Sequence, residues 1–201
     1  MTNEQIDAWL LTTAYHEAGH VVAGLVCQLP FESVTLLPLE EALRAGGPPP
    51  AGETDGSVVF PNPLKQNGIN LGGHLPLSSD ELTIVHRSMV RLFAGYFGDM
   101  VISKNHDTAK DGAKADFRHV AAMAHQMATQ PGMRSPEDYF VEAQRCAEDF
   151  IDATKEMVEK VACELLRRGT LAQDEAIAAA GSQSLTDARG RYSEIICIHR
   201  R

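Results

Sequence analysis

The sequence predicts a mainly α fold with a small β element, and three observations carry that prediction. Apolar residues recur at three- and four-residue steps over long stretches. Clusters of Gly and Pro fall between those stretches. Only two short runs, near 33–38 and 56–60, have the β-branched character of strands. With 201 residues and 44% apolar content the chain can bury one core, which sets aside a disordered polypeptide.

The first helix is expected from about Ile6 to Cys27, where Leu10, Leu11, Ala14, Ala18, Val21, Val22 and Leu25 mark a buried face. Gly19 inside it costs about 1 kcal/mol relative to Ala, which makes sense where another backbone approaches closely. Ser33-Val34-Thr35-Leu36-Leu37, closed by Pro38, reads as a strand. From Glu40 to Thr54 the run of Gly46, Gly47, Pro48, Pro49, Pro50 and Gly52 reads as a loop. Gly56-Ser57-Val58-Val59-Phe60 reads as a second strand, and Pro61 and Pro63 suit an edge position. A second loop is expected from Asn62 to Ser79.

Ser79-Asp80 then reads as the N-cap of a helix running to about Ser103, with Leu82, Ile84, Val85, Met89, Leu92 and Phe93 on its periodic face. Asn105 to Gly112 reads as a polar connection, and Ala115 to Thr129 as a helix ended by Pro131-Gly132. A long helix follows from Pro136 to Arg168, broken by Gly169, and a short one from Leu171 to Ala179. Residues 1–180 are thus expected to form the domain and 181–201 a partly ordered tail. There is no internal repeat.

Charge and composition narrow the classes of function. A net charge of -9 opposes binding to phosphate backbones, so no nucleic-acid partner is expected. The apolar run from Val21 to Cys27 is far shorter than the roughly 20 residues a bilayer requires, so no membrane span is expected. Met1-Thr2-Asn3-Glu4 lacks the basic and apolar regions of a secretory signal, which makes the cytoplasm the expected compartment. Cys27, Cys146, Cys163 and Cys197 form no Cys-x-x-Cys pair and read as reduced thiols.

The chemistry concentrates in His16-Glu17-Ala18-Gly19-His20. On a helix, residues four apart share a face, so His16 and His20 can grip one metal ion with Glu17 beside it. Two neutral nitrogens, an open position for water and a carboxylate to take its proton are what a zinc hydrolase requires. Two core histidines beside a surface carboxylate are the blander reading, and it leaves the glutamate in the base position unexplained.

Catalytic zinc usually takes three protein ligands. A third His six residues beyond the motif is excluded, because that position is Val26. Glu40 and Glu41 lie between a strand and a Gly/Pro-rich loop, a poor setting for a ligand. Asp116, in Asp111-Gly112-Ala113-Lys114-Ala115-Asp116, is the more promising carboxylate.

In this order the motifs resemble the peptidase domain of the FtsH-type ATP-dependent zinc proteases. The resemblance rests on Tyr15-His16-Glu17-Ala18-Gly19-His20-Val21-Val22, Val34-Thr35-Leu36-Leu37-Pro38, Gly56-Ser57-Val58-Val59-Phe60-Pro61, Leu92-Phe93-Ala94-Gly95, Gly112-Ala113-Lys114-Ala115-Asp116-Phe117 and Gly132-Met133. These keep family order over about residues 12 to 135. The resemblance implies a helical zinc-peptidase domain with Zn²⁺ as cofactor, held by His16, His20 and Asp116, and Glu17 as general base. Its substrate would be a polypeptide, unfolded or short. The strand at 56–60 could hold such a segment in extended form by main-chain bonds, or be an ordinary edge strand.

Departures from the family pattern are concentrated around that set. Tyr96 stands where the family has Arg, Asp99 where it has Glu, Ala115 where it has Asn, and Leu39-Glu40 where it has Arg-Gly. Asp99 is a candidate to hold a metal-bound His through a hydrogen bond. His119, one turn beyond Asp116, could support the ligand but reads more readily as a surface residue, as does His125. His74, His86 and His106 lack ligand spacing, and Asp107 and Asp111 read as turn caps. No Gly-x-x-x-x-Gly-Lys-Ser/Thr loop occurs, so the chain is expected to act as a stand-alone relative of the peptidase domain. A separate ATPase or adaptor and a homo-oligomer stay open as partners. The alternative to a peptidase is a metal-binding interaction module, or a partner-dependent subunit, with little proteolysis of its own.

Overall fold

The computed structural model describes residues 3–36, 56–58, 63–71, 77–103, 106–129 and 132–198. In chain order these form α1 (Asn3–Val26), β1 (Ser33–Leu36), β2 (Gly56–Val58), α2 (Pro63–Gln66), α3 (Ser79–Ser103), α4 (His106–Gly112), α5 (Lys114–Ala128), α6 (Pro136–Arg168), β3 (Thr170–Ala172), α7 (Gln173–Ala180) and α8 (Ser182–Ile198). The fold is mainly α with a small antiparallel sheet, as the sequence predicts. The Gly/Pro-rich stretch from Glu40 to Thr54, the ends of both expected strands and His74 lie outside the described residues. No helix among the described residues is long and apolar enough to cross a membrane.

The three longest helices, α1, α3 and α6, pack against one another and enclose the core. Ala14, Ala18, Val21 and Val22 of α1 meet Val85, Met89, Val90 and Phe93 of α3 and Val158, Val161 and Leu165 of α6 in one buried cluster. Gly19 stands where α1 and α3 touch: a Cβ there would overlap the backbone carbonyl of Ala94. Gly98 makes the reciprocal contact, against the Tyr15 carbonyl. The close backbone approach expected at Gly19 is therefore present.

Caps account for several helix limits. Ser78, one residue before the expected cap, starts α3: its hydroxyl accepts from the Glu81 N–H (3.3 Å), and its own N–H donates to the Glu81 carboxylate (2.7 Å). Ser135 and Asp138 form the same reciprocal pair at the start of α6, with Pro136 in the first turn, and Gly169 ends the helix in the left-handed region at φ 75°.

Three expectations are corrected. The polar connection at 105–112 contains a helix, α4, because Ala109 and Ala113 bury small side chains on the core. Residues Thr170–Ala172 are not the start of a helix but a strand, β3, which pairs antiparallel with β1 (Val34 opposite Leu171). Among the described residues the strand order is β2-β1-β3, which puts β2 at an edge, as expected. The partly ordered tail expected from Gly181 is the helix α8. It buries Leu185 and Tyr192, and Arg189 donates to the Leu25 carbonyl near the end of α1 (2.9 Å from Nη2).

Candidate metal centre

The centre is built where α1, α3 and the first turn of α5 meet. One turn apart on α1, His16 and His20 bring their rings to 4.7 Å at nearly right angles. Gly95 of α3 faces both: a Cβ there would stand 2.6 Å from His20 Nε2 and 2.8 Å from His16 Cε1. Any larger residue would push the rings aside.

Each imidazole is fixed through its Nδ1. His20 Nδ1–H donates to the Arg91 carbonyl at 2.8 Å, a bond of one direction only, since a carbonyl has no proton to give. His16 Nδ1–H donates to Asp99 Oδ2 at 2.9 Å. Both bonds leave the Nε2 lone pair facing outward from its fixed ring. The two Nε2 atoms are 3.1 Å apart, and Asp116 Oδ2 is 3.4 Å from that of His16 and 3.1 Å from that of His20. Three electron-rich atoms so close repel one another unless they share a positive charge. The group His16, His20 and Asp116 can thus hold a metal ion.

The same crowding draws protons: an Nε2 that carries one becomes a donor to Asp116. Burial works against a charged His16, but the Asp99 carboxylate and the bonds to Asp116 and Asp99 prevail, raising its pKa well above the usual imidazole value. Burial would also raise Asp116, yet the His20 charge and bonds from both histidines hold its carboxyl well below the carboxylate range. Asp99, only 2% exposed, is raised by burial against the opposing pull of His16. Glu17 is 6% exposed, and burial raises its pKa while His16 and His20 draw it down. Its carboxylate therefore sits in a dry setting where proton affinity is increased.

The structure brings together His16, His20 and Asp116, with Glu17 on the same helix and Asp99 hydrogen-bonded to His16. His119 and His125 are exposed on α5, and His106 is bonded instead to Tyr96. Glu40, Glu41 and the side chains of Asp107 and Asp111 lie outside the described residues. The Arg91 carbonyl was not foreseen, because a backbone acceptor leaves no mark in the sequence. Gly95 and Gly98, three apart in an apolar helix, did carry a signal for close approach to α1.

No known protein family matches the chain, and no curated protein matches it.

Proposed function

We propose that this chain is a zinc-dependent peptidase, with His16, His20 and Asp116 as metal ligands and Glu17 as general base. The observation that carries the proposal is the triangle of 3.1, 3.1 and 3.4 Å among the three ligand atoms. Tetrahedral bonds of about 2.0–2.1 Å to nitrogen and oxygen place neighbouring ligands about 3.3–3.4 Å apart. Two neutral imidazoles and one carboxylate leave a fourth position open, as in hydrolytic rather than structural zinc sites. The resemblance to the FtsH-type peptidase domain supports the same ligand set.

Bound there, zinc would supply a Lewis acid that acidifies water and polarises a peptide carbonyl. Glu17, raised in pKa by burial, takes the proton at its carboxylate and returns it to the leaving amine. Asp99 and the Arg91 carbonyl keep the two imidazoles in the ligating tautomer. The edge strand β2 lies against α1 and offers its main chain to an extended polypeptide, a mode that holds unfolded segments without reading their sequence.

The test is metal content and casein cleavage of the chain and of Glu17→Gln. About one zinc per chain in both, with kcat/KM lowered about 10²–10⁴-fold in the variant, is the expected result. Zinc in both without cleavage in either would replace the peptidase with a metal-bearing interaction module or a partner-dependent subunit. Failure to take up zinc after reconstitution would overturn the metal centre itself.

A further inference from the structure

We propose that Tyr96, through His106, positions Asp116 for metal binding, an inference that rests on the metal-centre reading above. The starting point is a deficiency in α5. Ala113 at its N-terminus has no side chain that can cap the helix, so no side-chain cap fixes the turn that carries Asp116. His16 and His20 on α1 are held by Asp99 and a carbonyl, whereas Asp116 comes from a different segment and needs its own support.

Tyr96 reaches that segment at both ends. Its hydroxyl shares a 2.6 Å hydrogen bond with His106 Nδ1 at the first residue of α4. Its ring lies edge-on to Phe117, the residue after Asp116, with centroids 5.2 Å apart. Between these two points the backbone is continuous in its hydrogen bonding: Ala113 N–H donates to the Ala109 carbonyl (3.1 Å) and Phe117 N–H to the Ala113 carbonyl (3.0 Å). Ala109 and Ala113 are both fully buried, so the stretch rests on the core at these two positions. Tyr96 is itself only 3% exposed and cannot swing away without opening the cluster it forms with Phe97 and Phe117. One residue before it, Gly95 faces the imidazoles, so a single turn of α3 registers the ligands of α1 and the segment bearing Asp116.

Tyr96→Phe removes the bond and keeps the ring; His106→Ala removes it from the other side. Zinc affinity measured against a chromophoric chelator should fall about fivefold in each, the worth of one neutral hydrogen bond. The double variant should lose no more than either single. A role confined to stability would lower the urea midpoint of the metal-free protein and leave zinc affinity within twofold of the parent, and that outcome overturns the proposal. Hydrogen exchange on the metal-free chain gives a readout independent of zinc. Amides of residues 106–117 should exchange faster in Tyr96→Phe while those of α6 do not change. If the parent chain takes up no zinc, the metal reading fails, and unchanged exchange at 106–117 would then overturn the tether on its own account.

Discussion

The crossing of α1 and α3 and the bundle of α6, α7 and α8 are built on opposite terms. At the crossing, glycines bring backbones into contact, and the buried residues include Glu17, His20 and Asp99. The two imidazoles are held from another element: His16 by Asp99, His20 by the Arg91 carbonyl. In the bundle the buried faces are mainly apolar, from Phe150, Ile151, Val158 and Val161 to Leu185, with Thr154 bonded within its own helix, and the ends are closed locally. Ser135 caps α6, Gly169 terminates it, and the Glu175 carboxylate accepts the Ala172 N–H (2.9 Å) at the start of α7. A region that holds a buried polar cluster is fixed by unique, distant partners and tolerates little. A scaffold made of short-range rules tolerates more.

The sharpest way to break this contrast is to add one methyl group to each region. Gly19→Ala puts a Cβ into the Ala94 carbonyl, where only backbone movement can relieve the overlap. A loss of about 3 kcal/mol is expected by urea unfolding, beyond anything recovered from helix propensity; a neutral result would show that the crossing is loose. Next in size is a pH effect where the two regions meet. Burial pushes the Cys27 thiol up to about 11, opposed in part by Tyr192 of α8. An unfolded thiol releases its proton near pH 8.5 or so, so the folded chain holds a proton that the unfolded chain has lost. The stability this represents, about 2–3 kcal/mol, is fully present below that pH and lost as pH rises towards 11. Thermal midpoints from pH 7 to 11 should fall more steeply for the parent than for Cys27→Ala, and parallel curves would contradict the assignment. The smallest effect has the opposite sign. Gly190 lies on the exposed side of α8, and a Cβ there would meet nothing within 4 Å, so Gly190→Ala should stabilise by about 0.5–1 kcal/mol in the same urea experiment.

The same contrast decides what could be read from the sequence. Helix α6 was legible from end to end, because Pro136, Gly169 and its apolar period are local signals. His16, Glu17 and His20 were legible because a helix converts spacing into geometry, and Asp116 came from its motif setting. Where neighbours distant in sequence decide, sequence reasoning fell short. Strand β3 is three residues long and exists by pairing with β1. Helix α8 is polar enough to resemble a tail, and its order comes from burying Tyr192 beside Phe150 and from the Arg189 bond to α1. The expected connection at 105–112 is helical through the burial of Ala109. The Arg91 carbonyl belongs to the site through its backbone alone, whatever side chain it carries.

The central position of β1 has a consequence for how the molecule assembles. The Thr170 hydroxyl donates to Thr35 across 135 residues, and the Phe31 amide donates to the Gln173 side chain across 142. Helical proteins usually fold fast because their contacts are short-range, but closing loops of this length must precede any reward from these bonds. During synthesis, α1 and α3 can meet long before residue 173 exists, while the sheet cannot be completed until it does. The cluster of His16, His20 and Asp116 is thus an early structure waiting on a late closure, and refolding should be slower than so high a helical content would suggest.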